Sequence, residues 1–383
     1  MDAKIDSSLA TRLDDAIDSA IARKKIVGTV LLVAREGEVV YARAAGLADR
    51  EAGRAMAQDA IFRMASCTKP LVAATALAMV DAGLLSLDEE VSEYLPFFTP
   101  KLADGTPGQV LVRHLMTHTA GVSYDADALK AVEASAGMSG PILPLEENVR
   151  RLGQMPLKFV PGTRWLYSTA IDVLGCIVAT INGSSLDAAV QRYVTGPLGM
   201  DDTRFGVTDV ARLAVPYTDG KPEPVRMGDT TFLPDRNGGP GGTTFCPSRI
   251  FNPLAPQSGG SGMAGTAPDF LRFLEMVRTG GGSALKPETV DAALSNQIGD
   301  VPMDGVGREG ERFGFLGAIV DDVAAARTPQ NRGTVRWGGV YGHNWFIDRE
   351  AGLSVASFSN TAFEGCNGPY REEIRDAIYG RSV

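Results

Sequence analysis

Met64–Ala74 reads MASCTKPLVAA, and it holds a serine and a lysine three positions apart at the head of an apolar run. On a helix, positions i and i+3 share a face, so the Ser66 hydroxyl and the Lys69 amine meet. Ser66 then sits at or just before the first turn, where unpaired backbone N–H groups and the helix dipole favour developing negative charge. A serine hydroxyl is a weak nucleophile until an adjacent base activates it. A lysine serves as that base when burial or neighbouring positive charge lowers its pKa, and the apolar run that follows supplies the burial. The spacing alone also fits a helix N-cap beside a solvated lysine, so further elements must decide.

Two later segments supply them. Phe159–Gly175 reads FVPGTRWLYSTAIDVLG, with Tyr167 between a Pro-Gly turn and an apolar helical pattern. A tyrosine projecting there beside a lysine can share its proton and relay it to a leaving group. Taken alone, a core tyrosine at a helix end is the better reading. Val335–Phe346 reads VRWGGVYGHNWF, where Gly338 and Gly339 interrupt an apolar strand. Glycine in a strand often marks the close approach of a ligand or another backbone, and such an edge can offer an N–H to an oxyanion. A simple bulge competes with that reading.

The chain around these motifs has 383 residues, 44% hydrophobic and 22% charged, with length for two domains or one domain carrying a large insertion. Leu9, Leu13, Ile17, Ala20 and Ile21 fall at helical spacing. Gly28–Gly46 predicts two strands around a turn at Arg35–Glu38. Gly333–Asn360 predicts strands broken at Gly338 and Gly339 and by a turn at Asp348–Gly352, before a closing helix within Gly368–Gly380. Between them, helical patterns (Leu71–Leu85, Val112–Gly121, Ile171–Ile181) alternate with the Gly-rich loops Arg236–Phe245 and Ser258–Gly265. The simplest architecture is α+β: an antiparallel sheet from both chain ends, residues 1–69 and 300–383, flanked by helices. A mainly helical domain is inserted at 70–299, with the site at the junction and the loops 122–145 and 220–262 walling it.

The order of serine-x-x-lysine, a tyrosine about a hundred residues on and a glycine-containing strand near the C-terminus resembles the serine β-lactamase and penicillin-binding-protein superfamily. The blocks His114–Tyr124 (HLMTHTAGVSY), FVPGTRWLYS and Trp337–Asp348 (WGGVYGHNWFID) are similar to the class C-like branch, and within it to the family VIII carboxylesterases, over nearly the whole chain. The resemblance implies a β-lactamase/transpeptidase-like fold. It implies Ser66 as nucleophile, Lys69 as the group that activates it and Tyr167 as proton relay. The N–H groups of Ser66 and Val340 would form the oxyanion hole. Trp337, Gly338 and Gly339 fall in the K-T-G slot and would line the substrate site. Two departures matter. Trp337 replaces a lysine that would attract a substrate carboxylate, and offers an apolar wall. Thr169 stands where β-lactamases carry an asparagine that would hold a substrate amide. Both favour neutral esters over anionic amides.

The expected activity is therefore ping-pong hydrolysis of small neutral carboxylic esters of short to medium acyl chain. Acyl transfer follows when an alcohol reaches the acyl-enzyme before water. The alternatives are an amide-directed hydrolase of the same fold (β-lactamase, D-aminopeptidase or oligomer amidase) and a penicillin-recognising sensor that acylates without turnover. A net charge of −9 argues against nucleic acid or anionic membrane as partner. Charges at Asp2, Lys4 and Asp6 precede no apolar signal region, and Asp81 ends the run Leu71–Val80 well short of the about 20 residues a span needs, so a cytoplasmic location is expected.

Other signals are weaker. Cys67, Cys176, Cys246 and Cys366 form no CxxC and are expected reduced. Cys67 is turned about 100° from Ser66 on a helix and is expected to be a partly buried structural thiol. Ser139 and Ser261 each lack a glycine of G-x-S-x-G, so no nucleophile elbow exists. His114 and His118 are spaced i, i+4 on a predicted helix, without an intervening glutamate and with His343 as the only other histidine. They read as a structural pair rather than a metal site. No dinucleotide or phosphate-binding glycine motif is present, so no cofactor is implied. The acids of Leu84–Pro96 read as a solvated helix face.

Overall fold

The computed structural model describes residues 7–234, 242–303 and 308–381. Its strands, in chain order, are β1 (Gly28–Arg35), β2 (Glu38–Asp49), β3 (Arg54–Ala55), β4 (Ile61–Arg63), β5 (Thr231–Pro234), β6 (Gly242–Phe245), β7 (Ala264–Thr266), β8 (Glu311–Phe313), β9 (Ala318–Val320), β10 (Val335–Gly339), β11 (His343–Asp348) and β12 (Leu353–Ser359). Eight make one sheet in the order β3-β2-β1-β12-β11-β10-β9-β8. β1 and β12 pair antiparallel within it, from Thr29 opposite Ser359 to Arg35 opposite Leu353. Strands from the two ends of the chain therefore join at the middle of the sheet, which has the fold expected from the motifs.

Both faces of the sheet are covered, and residue alternation shows how. Val30, Leu32 and Ala34 face the main core with Trp345, Ala356 and Phe358. Leu31 and Val33 face the other way, with Phe346, Leu353 and Val355, onto the helices Ser7–Ala22 and Pro369–Ile378. On the core side lies the helix Ala267–Arg278. It comes from the segment expected to be inserted, yet Phe270 packs on Trp345 and Phe358 of the sheet. Thr266 caps it by accepting from the Asp269 N–H.

The helix Thr68–Asp81 is buried from Thr68 to Met79, as a helix apolar on every side must be. Pro70 sits in its first turn, where a missing N–H costs nothing. Gly338 and Gly339 do not break β10. They pair with Asn344 and His343, and the chain turns only after them. A Cβ on Gly339 would lie 2.3 Å from the Met64 carbonyl oxygen and 3.3 Å from Cys67 Sγ. The close approach predicted at these glycines is thus made by the backbone leading into Ser66.

Three local expectations change. The helix at Val112 ends at Met116, and His118 adopts φ +56°, so His114 and His118 share no helix face. The acids near Glu90 flank a single turn, Val91–Tyr94, with Asp88 paired to Arg113 and Glu89 accepting from Tyr94, rather than one helix face. Of the loop Arg236–Phe245, residues 236–241 lie outside the described residues, and Gly242–Phe245 is β6, paired to β5. No single helix among the described residues is long and apolar enough to cross a membrane.

Candidate active site

Ser66 lies in a 3-10 turn, Ala65–Cys67, that runs directly into the helix Thr68–Asp81. Ala65 holds φ +45°, a left-handed conformation that is strained for a residue with a side chain. The predicted meeting of hydroxyl and amine is present: Lys69 Nζ donates to Ser66 Oγ at 3.2 Å. The lysine is 5% exposed and donates twice more, to the Gly260 carbonyl at 2.8 Å and to Tyr124 Oη at 3.3 Å. Its Nζ stands 4.6 Å from the centre of the Tyr167 ring.

The charge state of Lys69 differs from the expectation. Burial by itself lowers its pKa, but Tyr124, Tyr167 and Asp172 around it outweigh burial and raise it. Lys69 rests as an ammonium, not as a free amine.

Tyr167 is the centre of an aromatic cluster. Trp337 packs against it, tilted by 46° with 5.1 Å between centroids, and donates its indole N–H to Tyr167 Oη at 3.2 Å. The indole is therefore more than an apolar wall. The Arg308 guanidinium also lies 4.6 Å from the Trp337 ring, so this slot does have a cation beside it, though not the lysine of K-T-G. His118 packs 4.7 Å from the Tyr167 ring, and its Nδ1 meets Ser168 Oγ at 3.3 Å. Burial first, and the Lys69 cation second, hold the His118 imidazole well below its ordinary pKa, so it is neutral. Val340 follows the two glycines and packs in one cluster with Ala65, beside the turn that carries Ser66.

Three participants carried no motif of their own. Tyr124 closes the quoted block His114–Tyr124 but was not singled out. Gly260 lies in the Gly-rich loop Ser258–Gly265. Asp172, 1% exposed, accepts from Ser258 Oγ at 2.5 Å and from the Gly260 N–H at 3.4 Å, and its Oδ2 has no hydrogen-bond partner. Burial raises its pKa against those hydrogen bonds. A Cβ on Gly260 would lie 2.7 Å from that Oδ2. A lone acid in the apolar pattern IDVLGCIVATI was the available signal for Asp172.

Cys67 is wholly buried rather than partly so, and burial pushes its thiol pKa well up. All four cysteines are free thiols. Ser261 Oγ meets Ser258 Oγ at 3.1 Å and is not among the groups that contact Lys69.

Comparison with known proteins fits this arrangement. The family profile described as Beta-lactamase matches residues 13–378. Esterase EstB of Burkholderia gladioli is 49% identical over 98% of this chain and 96% of its own. Lovastatin esterase of Penicillium rubens is 28% identical over 89% of this chain and 90% of its own. The solved structure of EstCE1, a hydrolase with promiscuous acyltransferase activity, superposes with a TM-score of 0.93 at 41% identity, covering 98% of this chain and 99% of that one. With the profile spanning nearly the whole sequence and a relative at this identity over nearly its full length, the chain belongs to the β-lactamase family.

Proposed function

We propose that the protein is a carboxylesterase that works through an acyl-enzyme on Ser66. The observation that carries this reading is the 3.2 Å contact from Lys69 Nζ to Ser66 Oγ at the start of a buried helix. The close likeness to Esterase EstB and to EstCE1 supports ester chemistry over the amide alternatives.

The raised pKa of Lys69 changes how the proton is handled. An ammonium cannot accept the serine proton, so Lys69 and Tyr167 act as a pair that carries one proton fewer in its reactive form. The Trp337 N–H donates to Tyr167 Oη, and Lys69 Nζ stands 4.6 Å from the centre of the Tyr167 ring, so the two side chains are close enough to act as one proton-carrying pair. Ser66 gives its proton to the pair as its oxygen bonds to the ester carbonyl carbon. The oxyanion is held by the N–H groups of Ser66 and Val340. Tyr167 then returns the proton to the leaving alkoxide as the C–O bond breaks. Water attacks the acyl-Ser66 by the same route in reverse, releasing the acid and restoring the hydroxyl. An alcohol in place of water gives a new ester.

The apolar faces of Trp337 and Phe313 suit a neutral alkyl or aryl group at this wall. The substrate is a small-molecule ester. The test is Ser66→Ala with p-nitrophenyl butyrate. Turnover should fall to background with the fold retained, and an organophosphonate should label the peptide containing Ser66. Labelling of Ser139 or Ser261 instead would refute the assignment.

A further inference from the structure

A cavity lies near the turn that carries Ser66 and takes no part in the chemistry above; Met263 on its wall donates its N–H to Thr68 Oγ1. It holds about 60 Å³, room for several atoms where one water needs about 10–15 Å³. Arg63, Arg249, Ser261, Gln257, Cys246 and Tyr341 line it, and no lining residue is acidic. Three of its lining residues tie it to the site. Ser261 follows Gly260, whose carbonyl holds Lys69. Tyr341 follows Val340. Met138, also on its wall, packs in one cluster with Ala65 and Val340.

Neither arginine has a carboxylate in contact with it among the described residues. Arg63 Nε donates to the Pro247 carbonyl at 2.8 Å and its Nη1 to the Ala214 carbonyl at 3.2 Å. Arg249 donates to the carbonyls of Gly140 and Pro141 and to Ser135 Oγ, and its buried Nε has no partner. Neither forms an ion pair with a carboxylate among the described residues, in a protein of net charge −9 whose other arginines are widely paired. Burial disfavours both charges, offset at Arg63 only by Tyr341 and at Arg249 by Cys246 and Asp172. Two guanidinium groups sharing one cavity repel each other until an anion joins them, and their planar forks suit a carboxylate.

We infer that this cavity binds a carboxylate, and that the esters hydrolysed at Ser66 include those carrying one remote from the scissile bond, such as half-esters of dicarboxylic acids. This rests on the ester-hydrolase reading and refines it: the Trp337 wall takes a neutral group while a different wall takes the charged end. A free carboxylate, the acid product included, has the same chemistry.

Ethyl hexanoate and monoethyl adipate differ only in a terminal methyl against a carboxylate. Their kcat/KM values are measured by pH-stat, with free adipate as inhibitor of ethyl hexanoate hydrolysis in a second arm. The native enzyme should use the half-ester at least as well as the neutral ester. Arg249→Met should lower the half-ester-to-neutral ratio about 10- to 100-fold, the worth of a charge-assisted hydrogen bond, and Arg249→Lys should restore part of it. Arg63→Met repeats the test from the other side of the cavity. Adipate inhibition lost in Arg249→Met, without preference for the half-ester, assigns the site to a free carboxylate. A native enzyme that rejects the half-ester and is not inhibited by adipate overturns the inference. So does a ratio and an inhibition that neither arginine variant moves. Failure to hydrolyse ethyl hexanoate or any neutral ester strikes the esterase reading instead.

Discussion

The two walls beside Ser66 are built in opposite ways. At Tyr167, aromatic rings pack on one another: Trp337 at 5.1 Å, His118 at 4.7 Å, and Phe313 edge-on to Trp337 at 5.4 Å. At the other wall Arg63 and Arg249 line a cavity and hold their charges against backbone carbonyls. The aromatic wall supplies one directed N–H to Tyr167, the proton relay of the proposed mechanism. In the carboxylate-binding proposal, the cationic wall serves recognition. Reaction and selectivity are thus separable here, and each can be struck alone.

The largest blow falls on the aromatic wall. Tyr167→Phe keeps the ring and removes the hydroxyl, and kcat on p-nitrophenyl butyrate should fall roughly 10²–10⁴-fold with little change in KM. A near-normal kcat would make that wall structural only. Next comes the footing of the cationic wall. His343 lies behind Arg63, with Nε2 2.8 Å from the Arg63 carbonyl, and burial lowers its pKa from 6.5 to about 4. The folded protein therefore holds the neutral ring while the unfolded chain binds a proton first. The stabilisation is complete above pH 6.5 and is lost as pH falls from 6.5 to about 4, about 3 kcal/mol in all. Urea unfolding at pH 7 and pH 4 should show this loss shrinking in His343→Gln. An unchanged loss would show that other groups carry the acid sensitivity.

Asp172→Asn tests what sets the charge of Lys69. Removing an anion beside a cation lowers the cation's pKa, so the acid limb of the kcat/KM profile should move to lower pH by about one unit. A shift to higher pH would mean that Asp172 does not act through Lys69. The smallest effect is Trp337→Phe, which keeps an apolar face and loses the N–H to Tyr167. A net hydrogen bond is worth about 1 kcal/mol, so kcat should fall about fivefold. No change would leave the indole as wall alone.

These residues also differ in how far the sequence revealed them. Ser66, Lys69 and Tyr167 stood in local patterns, because a helix start and a Pro-Gly turn constrain their neighbours as well. The terminal helix and the paired strands β1, β2, β11 and β12 were readable because apolar spacing follows the geometry of each element. Tyr124, Gly260 and Asp172 were not singled out, since their roles come from three separate segments converging on one ammonium. Arg63 and Arg249 left no local signature: one ends a short strand, the other lies in a 3-10 turn, and only folding brings them to one cavity. The charge of Lys69 was misjudged for a related reason. Burial could be inferred from its apolar flank, but the surrounding oxygens that reverse its effect could not.

The union of β1 with β12 has a consequence for the chain as it is made. At roughly 5–20 residues per second, on the order of half a minute separates the emergence of the two strands from a ribosome. Through that interval β1 can pair with β2 but shows its other edge, with apolar side chains on both faces. An open apolar edge recruits other strands, so the growing chain is most vulnerable to mispairing before β12 arrives. The sheet that carries β10 cannot close until β12 has been made, and activity should appear only from that point.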